Sequence, residues 1–193
     1  MSNFFAVMAR MKYINRWGLM RNTRYENLSE HSLDVAMISH ALCVIGNRRL
    51  GKSFDADRAA ILSVYHDCSE ILTGDLPTPV KYFNREIDSV YHDIEDNSRR
   101  RLLSLLPDDI REEYDGILSL KDEDPELLRL VKAADKISAI IKCIEEKGCG
   151  NHEFDKAYSA LTKAVERMDI PEANIFMEEF LPGYALSLDE QGI

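Results

Sequence analysis

Apolar positions recur along this chain at helical spacing. Phe4, Met8 and Met11 share one face of a first short helix, and the polar stretch from Asn15 to Asn22, with Gly18 inside it, interrupts the pattern as a loop. A second helix is predicted to open at Asn27, which can cap it while Glu30 takes the capping-box position, and to end near Gly46. Its stripe runs Val35, Ile38, Leu42, Ile45, and the same spacing carried backwards lands on His31. Leu33, Met37, Ala41 and Val44 occupy its other faces, which predicts a central helix buried on most sides.

A third helix is expected from Asp55 or Asp57 to about Leu72, ended by Gly74, Pro77 and Pro79. A long helix from about Tyr82 to Leu106 follows, carrying Ile87, Val90, Ile94, Leu102 and Leu105, and then a shorter one around Ile110, Tyr114 and Ile117. Asp124 before Pro125 is a cap and first-turn pair for a helix through Leu128, Val131 and Ile141 to Gly148. Two more are predicted, through Phe154, Tyr158, Leu161, Val165 and Met168, and after Pro171 through Ile175, Phe176 and Phe180. No alternating strand pattern stands out, so the fold class is all-α, a compact multi-helix bundle.

Composition narrows this picture without changing it. A chain of 193 residues suits one domain over residues 1–193, and 45% hydrophobic with 30% charged residues fits a folded globular protein. The uncharged stretch Val35 to Asn47 is too short to cross a bilayer, so no membrane partner is expected. Cys43, Cys68, Cys143 and Cys149 form no C-x-x-C pair, and the start of the chain has no secretory h-region; both point to reduced thiols and a cytoplasmic location. The formal net charge is −10, yet Met1 to Tyr25 holds Arg10, Lys12, Arg16, Arg21 and Arg24 and no acid, leaving −15 for the remainder. Such an acidic body repels polynucleotides, while a local basic island suits one small phosphate-bearing ligand.

Against that background a few polar residues sit on the wrong side of their helices. His66 continues the stripe of Ala59 and Leu62, with Asp67 beside it and Glu70 one turn on. His92-Asp93 is an internal control: its neighbours Glu95, Asp96, Arg99 and Arg100 mark a solvated face, with the apolar stripe running through Val90 and Ile94. His31 extends an apolar stripe, and Asp135 lies one turn beyond Val131 and two beyond Leu128. Taken singly, each reads best as a core polar residue with a hydrogen bond or a lysine partner such as Lys132 or Lys136. Taken together, three helices that each turn His or Asp inward invite a shared cation, because buried carboxylates without partners are costly. Two imidazoles and two carboxylates make a mixed site for one divalent transition ion.

The order His31, His66-Asp67, Asp135 resembles the H...HD...D pattern of the HD-domain metal-dependent phosphohydrolases. The segments "NRWGLMRNTRYENLSEHSLDVAM", "YHDCSEILTGDLPTPVKYFN" and "VKAADKISAIIKCIEE" resemble the bacterial 5'-deoxynucleotidases of the YfbR type, over nearly the whole chain to "FLPGYALSLDE". That resemblance implies an HD-type bundle that hydrolyses deoxyribonucleoside 5'-monophosphates to deoxynucleoside and phosphate, with water made acidic by the ion as nucleophile. It implies His31, His66, Asp67 and Asp135 as ligands of one ion of Co, Mn, Fe, Ni, Zn or Cu. It also implies Glu70 as the group that positions or deprotonates water, Arg16 as the phosphate holder, and Trp17 with Asp75, Leu76, Pro77 and Thr78 as the bounds of the sugar. His31, Asp67 and Asp135 then border the substrate as well, Asp75 acts on the sugar or on water, and the assembly is a homodimer.

Elementary chemistry is consistent with these roles. A divalent ion removes the need for a covalent nucleophile, which leaves Cys68 without a task. Arginine's planar fork matches phosphate oxygens. A rigid indole near C2' excludes a ribose hydroxyl by bulk, where an apolar pocket alone rejects it weakly. By themselves the residues also admit another HD-type activity, such as cyclic-nucleotide cleavage, or a non-catalytic helical binding module with a polar core.

Overall fold

Asn27 and Glu30 form the capping box their spacing predicts. The Asn27 Oδ1 accepts from the backbone N–H of Ser29 at 3.0 Å and of Glu30 at 3.1 Å, and the Glu30 carboxylate accepts from the Asn27 N–H at 3.3 Å. The computed structural model describes residues 1–81, 83–120 and 123–192, apart from the side chain of Thr78. In chain order, α1 (Phe4–Met8) passes into a 3₁₀ stretch, Ala9–Tyr13, and α2 (Leu28–Arg49) follows the capped loop. Then come α3 (Ala56–Tyr65), α4 (Glu70–Thr73), α5 (Thr78–Lys81), α6 (Arg85–Leu103) and α7 (Asp108–Leu118). The chain continues with α8 (Pro125–Gly148), α9 (Asp155–Met168) and α10 (Pro171–Glu179), and a 3₁₀ stretch at Leu181–Ala185. The only extended pairing among the described residues is an isolated antiparallel bridge, Asn15 with Asn27. None of the described helices is long and apolar enough to cross a membrane.

Five expectations are corrected. Gly46 does not end α2, which runs on to Arg49. A Cβ there would meet Phe54 Cε2 at 2.9 Å, so the glycine serves the approach of a ring, and the turn comes at Gly51 with φ +68°. Burial of α2 on most sides does not hold either: Val35, Ile38, Leu42 and Ile45 are buried, but Leu33, Met37 and Val44 are exposed, as is His40. The helix expected to reach Leu72 stops at Tyr65, and α4 starts after a turn. On α6 the buried face is Tyr91, Glu95, Ser98 and Leu102, while Ile87, Val90 and Ile94 face outward. Glu95, read as solvated, is buried because Lys81 donates to it at 3.0 Å, with Arg99 also beside it. Tyr82, the expected start of that helix, lies outside the described residues.

The chain groups into two compact units, and the division falls within α2 and α3. The first comprises residues 1–19, 25–33 and 61–123. Its core joins Phe4, Met8 and Met11 to Leu28, Cys68, Leu102, Leu103, Leu106 and Leu118. Tyr114 sets its ring edge-on to Phe4 at 5.3 Å and to Tyr65 at 6.1 Å, so the start of the chain is tied to α7 and the end of α3.

The second unit comprises residues 20–24, 34–60 and 124 onward. Asp124 caps α8 by accepting the Glu126 N–H at 2.9 Å, with Pro125 in the first turn as predicted. The far end of α8 carries a buried charge cluster. Glu146 is 1% exposed and accepts from the Thr23 N–H and hydroxyl, the Arg24 N–H, the Asn151 side chain and the Lys142 ammonium. Lys142 also donates to the Arg24 carbonyl, so the pair fastens residues 23 and 24 to α8.

Burial pushes the Glu146 carboxyl up, but the hydrogen bonds from Lys142, Thr23 and Asn151 outweigh it and hold the pKa at about 2. Its contribution to stability is therefore present above the ordinary value of 4.5 and is lost as pH falls through about 2. Glu146→Ala leaves the Lys142 charge buried without its carboxylate, and urea unfolding at neutral pH is expected to register a loss of about 3–5 kcal/mol.

Candidate metal and phosphate site

The bridge between Asn15 and Asn27 folds the intervening loop back on itself. The Arg16 N–H donates to the Glu26 carbonyl and the Leu28 N–H to the Ile14 carbonyl, both at 2.9 Å. Arg16 and Trp17 leave one end of that loop, and Glu26 and the first turn of α2 leave the other. His31 sits in that turn, fully buried.

Opposite them, the chain after Tyr65 winds as tight turns. The Cys68 N–H reaches the Tyr65 carbonyl at 3.0 Å, and the Glu70 N–H reaches the Asp67 carbonyl at 2.9 Å. The sequence expectation of one continuous helix fails here, yet His66, Asp67 and Glu70 remain close neighbours in the chain. The carbonyl of Ser63 can only accept, so its 2.7 Å contact with His66 Nδ1 places the proton on Nδ1 and presents the Nε2 lone pair outward.

His31, His66 and Asp67 each offer one ligand atom, and these atoms lie within 4.8 Å of one another. Asp67 Oδ2 is 3.0 Å from His66 Nε2, 3.7 Å from His31 Nε2 and 3.4 Å from Arg16 Nη1. Burial works against the ionised Asp67, but its electrostatic and hydrogen-bonding contacts with His66, His31 and Arg16 prevail and hold it below the usual carboxylate range. Two imidazoles whose Nε2 atoms converge on one ionised carboxylate fit a divalent transition ion.

Glu70 opens α4 at 6% exposure. Burial, reinforced by the negative charges of Asp67 and Asp75, pushes its pKa up to about 9. Its Oε2 has no hydrogen-bond partner among the described residues. Asp75 follows Gly74 in the irregular stretch before α5, and its Oδ2 accepts the Trp17 N–H at 3.1 Å. Burial raises the Asp75 pKa, against the pull of Arg16.

Trp17 adopts φ +60°, a left-handed backbone that costs a non-glycine residue about 1–2 kcal/mol. Hydrogen bonds at both ends hold it there: the backbone N–H on Asp75, and the indole Nε1–H on Glu26 Oε2 at 2.8 Å. Leu76 and Pro77 are half-buried beside Asp75, and the Pro77 carbonyl starts α5 by accepting from Val80 and Lys81. Thr78 opens α5, and its side chain lies outside what is described.

All these residues belong to the first unit, and the structure brings Arg16, Trp17, His31, His66, Asp67 and Asp75 into one connected group. Asp135 is partly buried on α8 in the second unit. Cys68 is buried, and burial pushes its thiol up to about 12, so it is no thiolate nucleophile. His92 is 63% exposed, as the control requires.

Sequence reasoning missed Glu26. It is 11% exposed, its Oε1 lies 3.4 Å from His31 Nδ1, and its Oε2 lies 3.7 Å from Arg16 Nε. Burial pushes its carboxyl up, but His31, Arg16 and Trp17 together hold it below the usual range. One signal was available: Glu26 is the first acid in the chain, directly after a segment with five basic residues.

A helical chain with two histidines and an aspartate gathered beside a half-buried arginine has the fold of the HD-domain phosphohydrolases. An HD-domain phosphohydrolase of Listeria innocua superposes with a TM-score of 0.81 at 22% identity, covering 98% of this chain and 92% of its own. A cyanophage S-2L HD phosphohydrolase, solved bound to dA and one catalytic Zn²⁺ ion, superposes with a TM-score of 0.67 at 22% identity, covering 92% and 96%.

Sequence likeness is closer. The family described as 5'-deoxynucleotidase YfbR-like matches residues 3–184. A 5'-deoxynucleotidase of Photorhabdus laumondii is 48% identical over 190 residues, 98% of this chain and 96% of that protein. The chain belongs to the YfbR-like 5'-deoxynucleotidase family.

Proposed function

We propose that this protein is a metal-dependent 5'-deoxynucleotidase that hydrolyses deoxyribonucleoside 5'-monophosphates to deoxynucleoside and phosphate. The observation that carries the reading is the meeting of His31, His66 and Arg16 at one ionised carboxylate, Asp67, in a member of this family. His31, His66 and Asp67, with Asp135 as fourth ligand, hold one divalent ion, and their mixed nitrogen and oxygen donors accept Mn, Fe, Co, Ni, Zn or Cu. When bound, such an ion lowers the pKa of water, draws charge from the phosphoryl oxygens and brings Glu70 down from its high value.

The chain's own residues do the rest. Arg16 lays its guanidinium fork on the phosphate and absorbs charge as the P–O5' bond lengthens. Glu70 takes a proton from the attacking water as its oxygen bonds to phosphorus, and passes a proton to the departing O5', so no net proton is consumed at the carboxyl. Trp17 stands as the wall against a ribose 2'-hydroxyl, and Asp75 accepts from the sugar while holding the Trp17 backbone. Leu76, Pro77 and Thr78 complete the sugar pocket, and no sequence motif calls for readout of the base edge.

The protein acts in the cytoplasm as a homodimer in this reading. The outward ridge of Ile87, Val90 and Ile94 on α6 supports a subunit contact, because such an apolar ridge gains by burial.

Phosphate release from dAMP and AMP, measured in parallel after chelation and again after return of Mn²⁺ or Co²⁺, tests the proposal. Hydrolysis of dAMP well above AMP, restored by the ion, is the expected result. Equal turnover of the two, or preference for a cyclic diester, overturns it. Trp17→Ala is expected to narrow the dAMP to AMP ratio by about tenfold, since bulk is what separates the sugars. An unchanged ratio would remove Trp17 from the pocket.

A further inference from the structure

Glu26 touches three residues to which the reaction gives three different tasks. Its Oε1 faces Nδ1 of the metal ligand His31, its Oε2 accepts the indole N–H of the sugar wall Trp17, and the same Oε2 lies near Nε of the phosphate holder Arg16. Its backbone carbonyl accepts the Arg16 N–H as well. A carboxylate has only acceptors, and all three neighbours approach with N–H groups. The arrangement therefore assigns a proton to His31 Nδ1 and leaves Nε2 to face Asp67, on the side where His66 Nε2 also points.

We infer that Glu26 is a positioning residue that couples the metal site to the deoxyribose wall, setting the tautomer of His31 and the orientation of the Trp17 indole with one side chain. This rests on the deoxynucleotidase reading for the meaning of the wall, but not for the coupling itself. Both oxygens are needed. A glutamine keeps the shape but turns an NH₂ group towards one of the donors. Either the His31 tautomer inverts, placing a proton on Nε2 where the ion must bind, or the indole loses its acceptor. An aspartate keeps the charge and loses the reach to one partner.

Trp17 is the only tryptophan in the chain, so intrinsic fluorescence reports on this residue alone. In metal-free Glu26→Gln, acrylamide quenching of Trp17 is expected to rise, and calorimetric titration with Mn²⁺ is expected to show binding weakened by about 10- to 100-fold. The dAMP to AMP ratio should fall with them. Adding Trp17→Phe, which removes the indole N–H, separates the two arms: in that background Glu26→Gln should still weaken Mn²⁺ binding but no longer change the substrate ratio.

Should Glu26→Gln lose its helical circular dichroism, Glu26→Asp carries the same measurements with the charge retained. Mn²⁺ affinity within about threefold of the parent together with unchanged quenching overturns the inference, since losing the partner that orients a metal-binding imidazole costs about tenfold or more. A parent protein without preference for dAMP defeats the substrate reading, while quenching and Mn²⁺ affinity still decide the role of Glu26.

Discussion

Replacing Asp67 with alanine is expected to abolish both metal retention and turnover. Its Oδ2 is where three members of the site converge, with His66 Nε2 at 3.0 Å, Arg16 Nη1 at 3.4 Å and His31 Nε2 at 3.7 Å. Of the proposed ligands two imidazoles and Asp135 remain in the variant, so one of the two negative charges that balance a dication in a buried setting is gone. A bound ion contributes several kcal/mol to stabilising charge in the transition state, and each 1.36 kcal/mol is a factor of ten, so the loss in rate is on the order of a thousandfold or more. Arg16 suffers too, since its guanidinium loses the ion-pair partner 3.4 Å away.

The measurement is metal content by atomic absorption after dialysis against Mn²⁺, alongside dAMP hydrolysis. Asp67→Asn is the informative companion, because it preserves shape and one oxygen donor but not the charge. An Asp67→Ala protein that holds one ion per chain and turns over within about tenfold of the parent would show that the ion sits elsewhere.

These residues were legible in the sequence for a reason that does not extend to their neighbours. His31 and His66 betray themselves by sitting on apolar stripes, where burial of an unexplained imidazole requires a purpose. Glu26 and Trp17 lie in a loop whose course is set by a two-residue bridge, Asn15 with Asn27, and no periodicity announces such a contact. The φ of +60° at Trp17 is likewise invisible, because the hydrogen bonds that sustain it come from Asp75 and Glu26, distant in sequence or across the loop.

Helices were legible where local chemistry decides them, as at Asn27 and at Asp124-Pro125. They were misread where two faces compete. On α6 the apolar ridge Ile87, Val90, Ile94 outscored the face that is buried, because Glu95 looks solvated until Lys81, fourteen positions earlier, supplies its countercharge. At His66 the helical period ran on through a segment whose backbone is a series of turns, and nothing in "YHDCSE" marks the break by glycine or proline.

Glu70→Gln is expected to leave the ion in place and slow hydrolysis by about 10²- to 10⁴-fold, the usual reach of a positioned acid–base group. Glu70 lies outside the His31, His66, Asp67 cluster, so metal content should match the parent, in contrast to Asp67→Ala. A second consequence follows from its raised pKa of about 9. In the metal-free protein the folded chain keeps a proton on Glu70 that the unfolded chain gives up near 4.5, so the folded state binds more protons between those values. The associated stability is present in full below 4.5 and declines as pH rises towards about 9.

Glutamine imitates the protonated acid at every pH and is exempt from that decline. In the presence of chelator, the melting temperature of the parent should therefore fall relative to Glu70→Gln between about pH 5.5 and about pH 8.5, and addition of Mn²⁺ should close the gap by bringing a positive charge to the ionised carboxylate. Parallel melting curves in chelator would place Glu70 in contact with solvent charge and ions rather than among Asp67 and Asp75. Turnover within about threefold of the parent, well short of what loss of an acid–base group costs, would remove it from the proton transfer altogether.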